Sequence, residues 1–335
     1  MKLLRLILIL FLPSIALAQG NDNALMEKVL NRFQFTSNEI NVDDQSVRYF
    51  IHQKKNSSPN KLVLYLQGTT PNPEPFFSIS PNGKGYSYLQ YFPSDFELLD
   101  DSYLYCVIAP PGISGIGNVG EYDVEKYHRL NSLDYRVFQA NAVIDHLAAK
   151  HKELSRIIVY GHSEGAPVAT KLGTVNKKIT HLGVWGGNAL PDFFDFILME
   201  RKANIQGLQS DSLTQVNIDD YISLFKEISL DTLNTTPSNE SEIREYTNKR
   251  WWSYAEPPLN YLLTIDIPLY VQVATKDENA PIESNYLIPL EFIRLGKTNL
   301  TFKVCVDCDH GFVNQETGED LWSEIFQQFI GWTQK

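Results

Sequence analysis

The chain has 335 residues, 43% hydrophobic and 21% charged, with 17 Pro and 19 Gly. This balance supplies a core and excludes a disordered, collagen-like or disulfide-scaffold protein; the length suits one large α/β domain or two small ones. With 29 Lys and Arg against 40 Asp and Glu the formal charge is −11, a surface that repels phosphate backbones and argues against nucleic acid as the main partner.

The N-terminus carries Lys2 and Arg5, an apolar run from Leu6 to Leu12, and then Ala16-Leu17-Ala18. A basic start, a short apolar stretch and an A-x-A site form the pattern of a secretory signal peptide. The run is shorter than the ~20 apolar residues that cross a bilayer. The expectation is a signal peptide over 1–18, cleaved after Ala18, and a mature chain 19–335 that is secreted or periplasmic. No later segment reads as a membrane span.

Segments near 32–36 and 47–52 suggest an antiparallel start. Short β-rich runs follow at Leu62–Leu66, Leu104–Ala109, Ile157–Tyr160, Leu182–Trp185, Leu269–Ala274 and Leu300–Val306. Val137, Ala140, Ile144 and Leu147 recur at helical spacing, as do Trp322, Ile325, Phe326, Phe329 and Ile330. Strands alternating with helices predict a mostly parallel, doubly wound sheet covered on both faces. Gly115-Ile116-Gly117-Asn118-Val119-Gly120 matches a dinucleotide-binding pattern, but a Pro-Pro separates it from the preceding strand and a polar stretch follows, so no nucleotide site is read there.

Ile157–Tyr160 runs into Gly161-His162-Ser163-Glu164-Gly165, and Ala166, Val168, Ala169 and Leu172 then open a helix. G-x-S-x-G between a strand and a helix is the context in which a sharp turn lifts a serine hydroxyl clear of a sheet, and small neighbours are required because the backbone is crowded there. Glu164 admits two readings: a carboxylate favoured by the helix dipole, or a partner for a substrate ammonium.

Between about 188 and 264 no strand is evident, and roughly 75 residues are too many for a plain loop. Ile218, Tyr221, Ile222, Phe225 and Ile228 mark an amphipathic helix, with Asp219 and Asp220 in its first turn. Asn239 and Glu242 resemble a capping box, followed by Ile243, Tyr246, Arg250, Trp251 and Tyr254 at helical intervals. The segment reads as a helical cap over the carboxyl ends of the strands, where open α/β sheets bind ligands.

A nucleophile on such a turn requires an acid and then a histidine later in the chain. Only His181 and His310 follow Ser163, and His181 leaves no room for an intervening acid other than Glu164, so His310 is the candidate base. Asp277, just past Leu269–Ala274, is the favoured acid, with Glu278, Asp307 and Asp309 as competitors. Cys106 sits in an apolar run as a buried thiol. Cys305 and Cys308 form a C-x-x-C without the second ligand pair that zinc needs, and either a local disulfide or two thiols fits.

Through Ser163 in its elbow, Asp277 and His310, the chain resembles the α/β-hydrolase fold family. The resemblance implies an oxyanion hole formed by the backbone N–H of Glu164 and by one from the loop Gln67-Gly68-Thr69-Thr70, where the family usually has His-Gly; Thr69 is the expected donor. Pro110-Pro111-Gly112 is similar to the family's Pro-Gly loop. The expected activity is acyl transfer to water without metal or organic cofactor, on a small-molecule ester. An amide or peptide is the alternative substrate, and a non-catalytic binding protein on the same scaffold is a third reading. Phe193, Phe194, Phe196, Trp251, Trp252 and Tyr254, with Gly68, are the candidate substrate pocket.

Overall fold

The computed structural model describes Glu27 and residues 30–69, 76–81, 86–91, 94–113, 123–237 and 246–335. The expected signal segment, the Gly115–Gly120 run and the Asn239–Glu242 pair lie outside the described residues.

An antiparallel pair, β1 (Phe35–Val42) and β2 (Gln45–His52), opens the chain, followed by β3 (Lys61–Leu66). An antiparallel pair of β4 (Phe76–Pro81) and β5 (Tyr86–Tyr91) stands apart as a two-stranded sheet that the alternation pattern did not suggest. Then come β6 (Tyr103–Ile108), β7 (Arg156–His162), β8 (His181–Trp185), β9 (Leu269–Ala274) and β10 (Leu300–Cys305). The main sheet has eight strands in the order β1-β2-β6-β3-β7-β8-β9-β10, antiparallel at β1-β2 and β2-β6 and parallel from β6 to β10.

The interior strands are apolar over most of their length, with polar residues mainly at their ends and at Gln272, because both faces are covered. Alternate residues feed two cores. Leu62, Leu64, Leu104, Cys106, Ile157 and Val159 pack with α2 (Leu133–Lys150) and α3 (Gly165–Val175) on one face. Val63, Tyr65, Tyr105, Ile158 and Tyr160 pack on the other face with Ile325, Phe326 and Phe329 of the C-terminal helix (Trp322–Trp332). A short helix α1 (Val124–Leu130) precedes α2. Cys106 is fully buried, and burial pushes its thiol far above the usual range.

Four helices lie between β8 and β9: α4 (Asp192–Ile205), α5 (Asp211–Leu230), α6 (Asn248–Ser253) and α7 (Pro258–Leu262). The helix expected to start near Ile218 starts instead at Asp211, where the Ser210 hydroxyl caps the Leu213 N–H at 3.3 Å, so Asp219 and Asp220 sit mid-helix rather than in its first turn. A serine cap outweighed the dipole signal of the two aspartates. Likewise α6 begins after Thr247, whose hydroxyl accepts from the Arg250 N–H at 3.1 Å. Two short helices, α8 (Ile282–Asn285) and α9 (Leu287–Arg294), connect β9 to β10, and the C-terminal helix is α10. No helix among the described residues is long and apolar enough to cross a membrane.

Candidate active site

Strand β7 delivers Ser163 to the carboxyl end of the sheet. Its φ of +57° is left-handed, a conformation that a non-glycine residue holds only when the surroundings enforce it. Two hydrogen bonds do so: Ser163 N–H donates to the Trp185 carbonyl of β8 at 3.0 Å, and its carbonyl accepts from Ala166 N–H at 2.9 Å. The flanking glycines are dictated by space. A Cβ on Gly161 would collide with the Gly165 carbonyl, and one on Gly165 with the Leu66 carbonyl.

The loops after β9 and β10 are laced together. Thr275 and Lys276 N–H donate to the carbonyls of Cys305 and Cys308 at 3.0 and 2.8 Å, and Asp307 N–H donates to the Thr275 hydroxyl at 2.7 Å. Cys305 and Cys308 are joined as a disulfide, their Cα atoms 5.5 Å apart. The strand ends at Cys305 and Asp307 turns left-handed, which brings the two sulfurs together.

This lacing sets Asp277 beside His310. His310 Nδ1 lies 2.8 and 3.0 Å from the two carboxylate oxygens of Asp277, an arrangement in which Nδ1–H donates to the carboxylate and Nε2 is the nitrogen turned away from it. Asp277 is 2% exposed, and its Oδ1 also accepts from the N–H groups of Asn279 and Ala280, both at 2.8 Å. Its competitors are engaged elsewhere or exposed. Glu278 faces solvent, Asp307 is 4.0 Å from Lys276, and Asp309 caps the N–H groups of Gly311 and Val313. His162 supports the loop from below. Its Nε2–H donates to the His310 carbonyl at 2.8 Å, and burial, reinforced by the His310 ring, lowers its pKa to about 4 and keeps it neutral.

Ser163 and His310 line one cavity of about 490 Å³, together with Thr69, Glu164, Phe196, Tyr246, Arg250, Trp251, Tyr254 and Tyr261. Neither the Thr69 nor the Glu164 backbone N–H donates to an acceptor among the described residues. Gly68 lies under Ser163, a Cβ there falling 3.1 Å from Ser163 Cβ. Trp252 is not brought to the cavity: it is 41% exposed and packs on Phe225 at 5.8 Å, whereas Trp251 lines the cavity. Phe193 is buried against Phe225 and Trp251, while Phe194 is exposed.

Glu164 stands at the N-cap of α3, as the dipole reading has it, but its partners are two arginines that the sequence did not suggest. It is buried and bound by two guanidinium groups, Arg136 Nη1 at 3.0 Å and Arg250 Nη2 at 2.7 Å, and it accepts from Tyr254, Thr69 and Tyr246 hydroxyls at 3.1, 3.2 and 3.4 Å. Burial alone would raise its pKa, but the two arginines outweigh it and hold the carboxyl at about 2. Arg250 is sandwiched by the rings of Tyr246, Trp251 and Tyr254 at 4.0 to 4.6 Å and also reaches Asp192 at 3.4 Å. Neither Arg136 nor Arg250 stands out in the sequence as a site residue. An arginine within Tyr246-x3-Arg250-Trp251-x2-Tyr254 is the one signal available, since such spacing places a guanidinium among aromatic faces. No group of three or more His, Cys, Asp or Glu among the described residues is arranged to hold a metal.

No sequence-family model and no curated protein sequence matches the chain. Solved structures do match in fold. An esterase of Pyrococcus furiosus is 17% identical, with 91% of this chain and 92% of that one covered and a TM-score of 0.56. Est1E of Butyrivibrio proteoclasticus is 12% identical over 89% of this chain and 97% of that one, with a TM-score of 0.54. The acylaminoacyl peptidase of Pyrococcus horikoshii is 13% identical over 93% of this chain with a TM-score of 0.54, and the chain spans 43% of that protein's length. With its strand order, its turn at Ser163 and these neighbours, the chain has the α/β-hydrolase fold.

Proposed function

We propose that the protein is a serine hydrolase that cleaves carboxylic esters through an acyl-enzyme. The observation that carries this reading is the His310–Asp277 hydrogen bond at a cavity shared with Ser163 on its left-handed turn. Asp277 fixes the tautomer of His310, so that Nε2 accepts the Ser163 proton as Oγ attacks the ester carbonyl carbon. The backbone N–H groups of Glu164 and Thr69 then receive the negative charge developing on the carbonyl oxygen. The alcohol leaves with the proton from His310, and water, activated by the same ring, releases the acid and restores Ser163.

The aromatic part of the cavity wall, Phe196, Trp251 and Tyr261, suits the acyl or alcohol part of an ester, beside the charged part at Glu164, Asp192, Arg250 and Glu256. The structural neighbours include both an esterase and a peptidase, and the same triad would serve an amide. The pairing of Glu164 with two arginines leaves that carboxylate no free charge for a substrate ammonium, so Glu164 is not the group that would hold the amine of a peptide. Export rests on the pattern of residues 1–18, and the Cys305–Cys308 disulfide accords with an oxidising compartment. N-terminal sequencing of protein from a secreting host checks it, with Gln19 as the expected first residue.

The test is a pair of measurements on wild type and Ser163→Ala: hydrolysis of p-nitrophenyl esters of graded acyl length, and labelling by a fluorophosphonate. Wild type should do both and the variant neither. An unlabelled, inactive wild type would leave a binding protein on this scaffold, and an active variant would move the nucleophile elsewhere.

A further inference from the structure

The carboxylate beside the nucleophile holds both ends of the oxyanion hole. Of the two N–H groups assigned above to the oxyanion hole, one is Glu164's own. Its Oε2 accepts from the hydroxyl of Thr69, the residue assigned the other N–H, at 3.2 Å. Arg136 bridges the same two loops, donating from Nη1 to Glu164 Oε1 and from Nη2 to the Gln67 carbonyl, two residues before Thr69. Arg250 completes the clamp from α6 in the insertion, with Nη2 on Glu164 Oε2 at 2.7 Å. Both partners of that last pair are 5% exposed.

We propose that Arg250 is a positioning residue: through Glu164 it fixes the oxyanion hole, so that docking of the helical insertion is a condition for turnover. This rests on the serine-hydrolase reading above. Two physical arguments support it. First, an unpaired carboxylate one residue from the nucleophile would oppose the negative charge that develops on the substrate oxygen. Arg136 and Arg250 together outweigh it, and Asp192 on the far side of Arg250 offsets part of the surplus. Second, stability is a poor explanation for so many buried charges. A buried ion cluster is often matched or bettered by apolar residues of similar volume, whereas a shared carboxylate fixes the relative position of three chain segments.

The distinguishing consequence concerns small substrates. A p-nitrophenyl acetate molecule is too short to need the aromatic cavity, yet its turnover should depend on Arg250. The experiment compares wild type with Arg250→Met, Arg250→Lys and Thr69→Val on that ester and on its thionoester, in which sulfur replaces the carbonyl oxygen. Arg250→Met should lower kcat about 10-fold, less than the 100-fold or more of deleting a donor, with KM little changed. The ester-to-thionoester rate ratio should shrink, because that ratio reads the fit of the oxyanion hole. Arg250→Lys should recover part of both. Thr69→Val, at an exposed loop position, should lower kcat a few-fold with unaltered melting, and it decides the matter if Arg250→Met does not fold. Wild-type kcat and an unchanged ratio in Thr69→Val and in every Arg250 variant that folds would overturn the proposal while leaving the hydrolase reading intact. A wild type with no esterase activity and no fluorophosphonate label would overturn both.

Discussion

The sheet body and the helical insertion are held together by different physics. In the body, strands buried on both faces meet helices through side chains such as Leu64, Val159, Leu172 and Phe329, each fully buried. In the insertion, α5 buries Thr214, Ile218 and Ile228 but leaves Leu213, Val216, Ile222 and Leu230 about half exposed or more. Its neighbour α6 meets the body through charge and aromatic rings, Arg250 on Glu164 and Lys249 Nζ on the Arg129 carbonyl at 2.6 Å. An apolar core is non-directional and tolerates small shifts, whereas a guanidinium on a carboxylate fixes direction and distance. The body therefore rests on its apolar core, which Tyr254 and Leu262 of the insertion join, whereas α6 is oriented by its ion pair with the residue following Ser163.

Three measurements break or sharpen this contrast. The largest effect belongs to the body. Asp277→Asn should lower kcat by about 10⁴-fold by permitting the wrong His310 tautomer, while Glu278→Gln, at a solvent-facing position, should stay within about twofold. Steady-state kinetics of the two variants on one activated ester decide it, and equal losses would place the acid elsewhere.

The next effect tests the attachment. Glu164 is held at about 2 against an ordinary 4.5 by Arg250 and Arg136 acting against its burial. Because the folded value is the lower one, this contribution is complete above pH 4.5 and is lost as pH falls toward 2, amounting to about 3 kcal/mol. Urea unfolding of wild type and Glu164→Gln should thus show a stability gap at pH 6 that narrows at pH 3. A gap independent of pH would mean that Glu164 is not held by its charge.

The smallest effect separates the two tryptophans of α6. Trp251 lines the cavity and packs on Phe193 and Phe196, whereas Trp252 lies outside it. Trp251→Ala should raise KM for esters with bulky acyl groups about tenfold, close to 1.4 kcal/mol. Trp252→Ala should leave KM within about a factor of two. A reversed order would place the substrate on the outer face of the insertion.

The body was legible in the sequence for a local reason. Runs such as Leu62–Leu66 and Leu269–Ala274 carry the apolar continuity of doubly covered strands, and Gly161 and Gly165 declare a turn too crowded for a Cβ. The antiparallel pair 76–81 and 86–91 escaped because its strands lie apart from the main sheet and its alternation. In the insertion the sequence located α5 and α6 but not their starts, which Ser210 and Thr247 set by capping, and it did not mark α4 or α7.

What the sequence determined by itself is whatever depends on neighbours in the chain: strand, turn, helix start, and the order of Ser163, Asp277 and His310. What only the tertiary structure decided is which distant groups meet. His310 turns to Asp277 rather than to Asp307 or Asp309 because β9 and β10 pair with Ala274 opposite Cys305, bringing the two loops side by side. Glu164 finds Arg136 and Arg250, 28 and 86 residues away, because α2 and α6 converge on the carboxyl end of β7. No periodicity encodes such a meeting, since a long-range ion pair is set by the path of the whole chain and leaves no mark on the residues beside it.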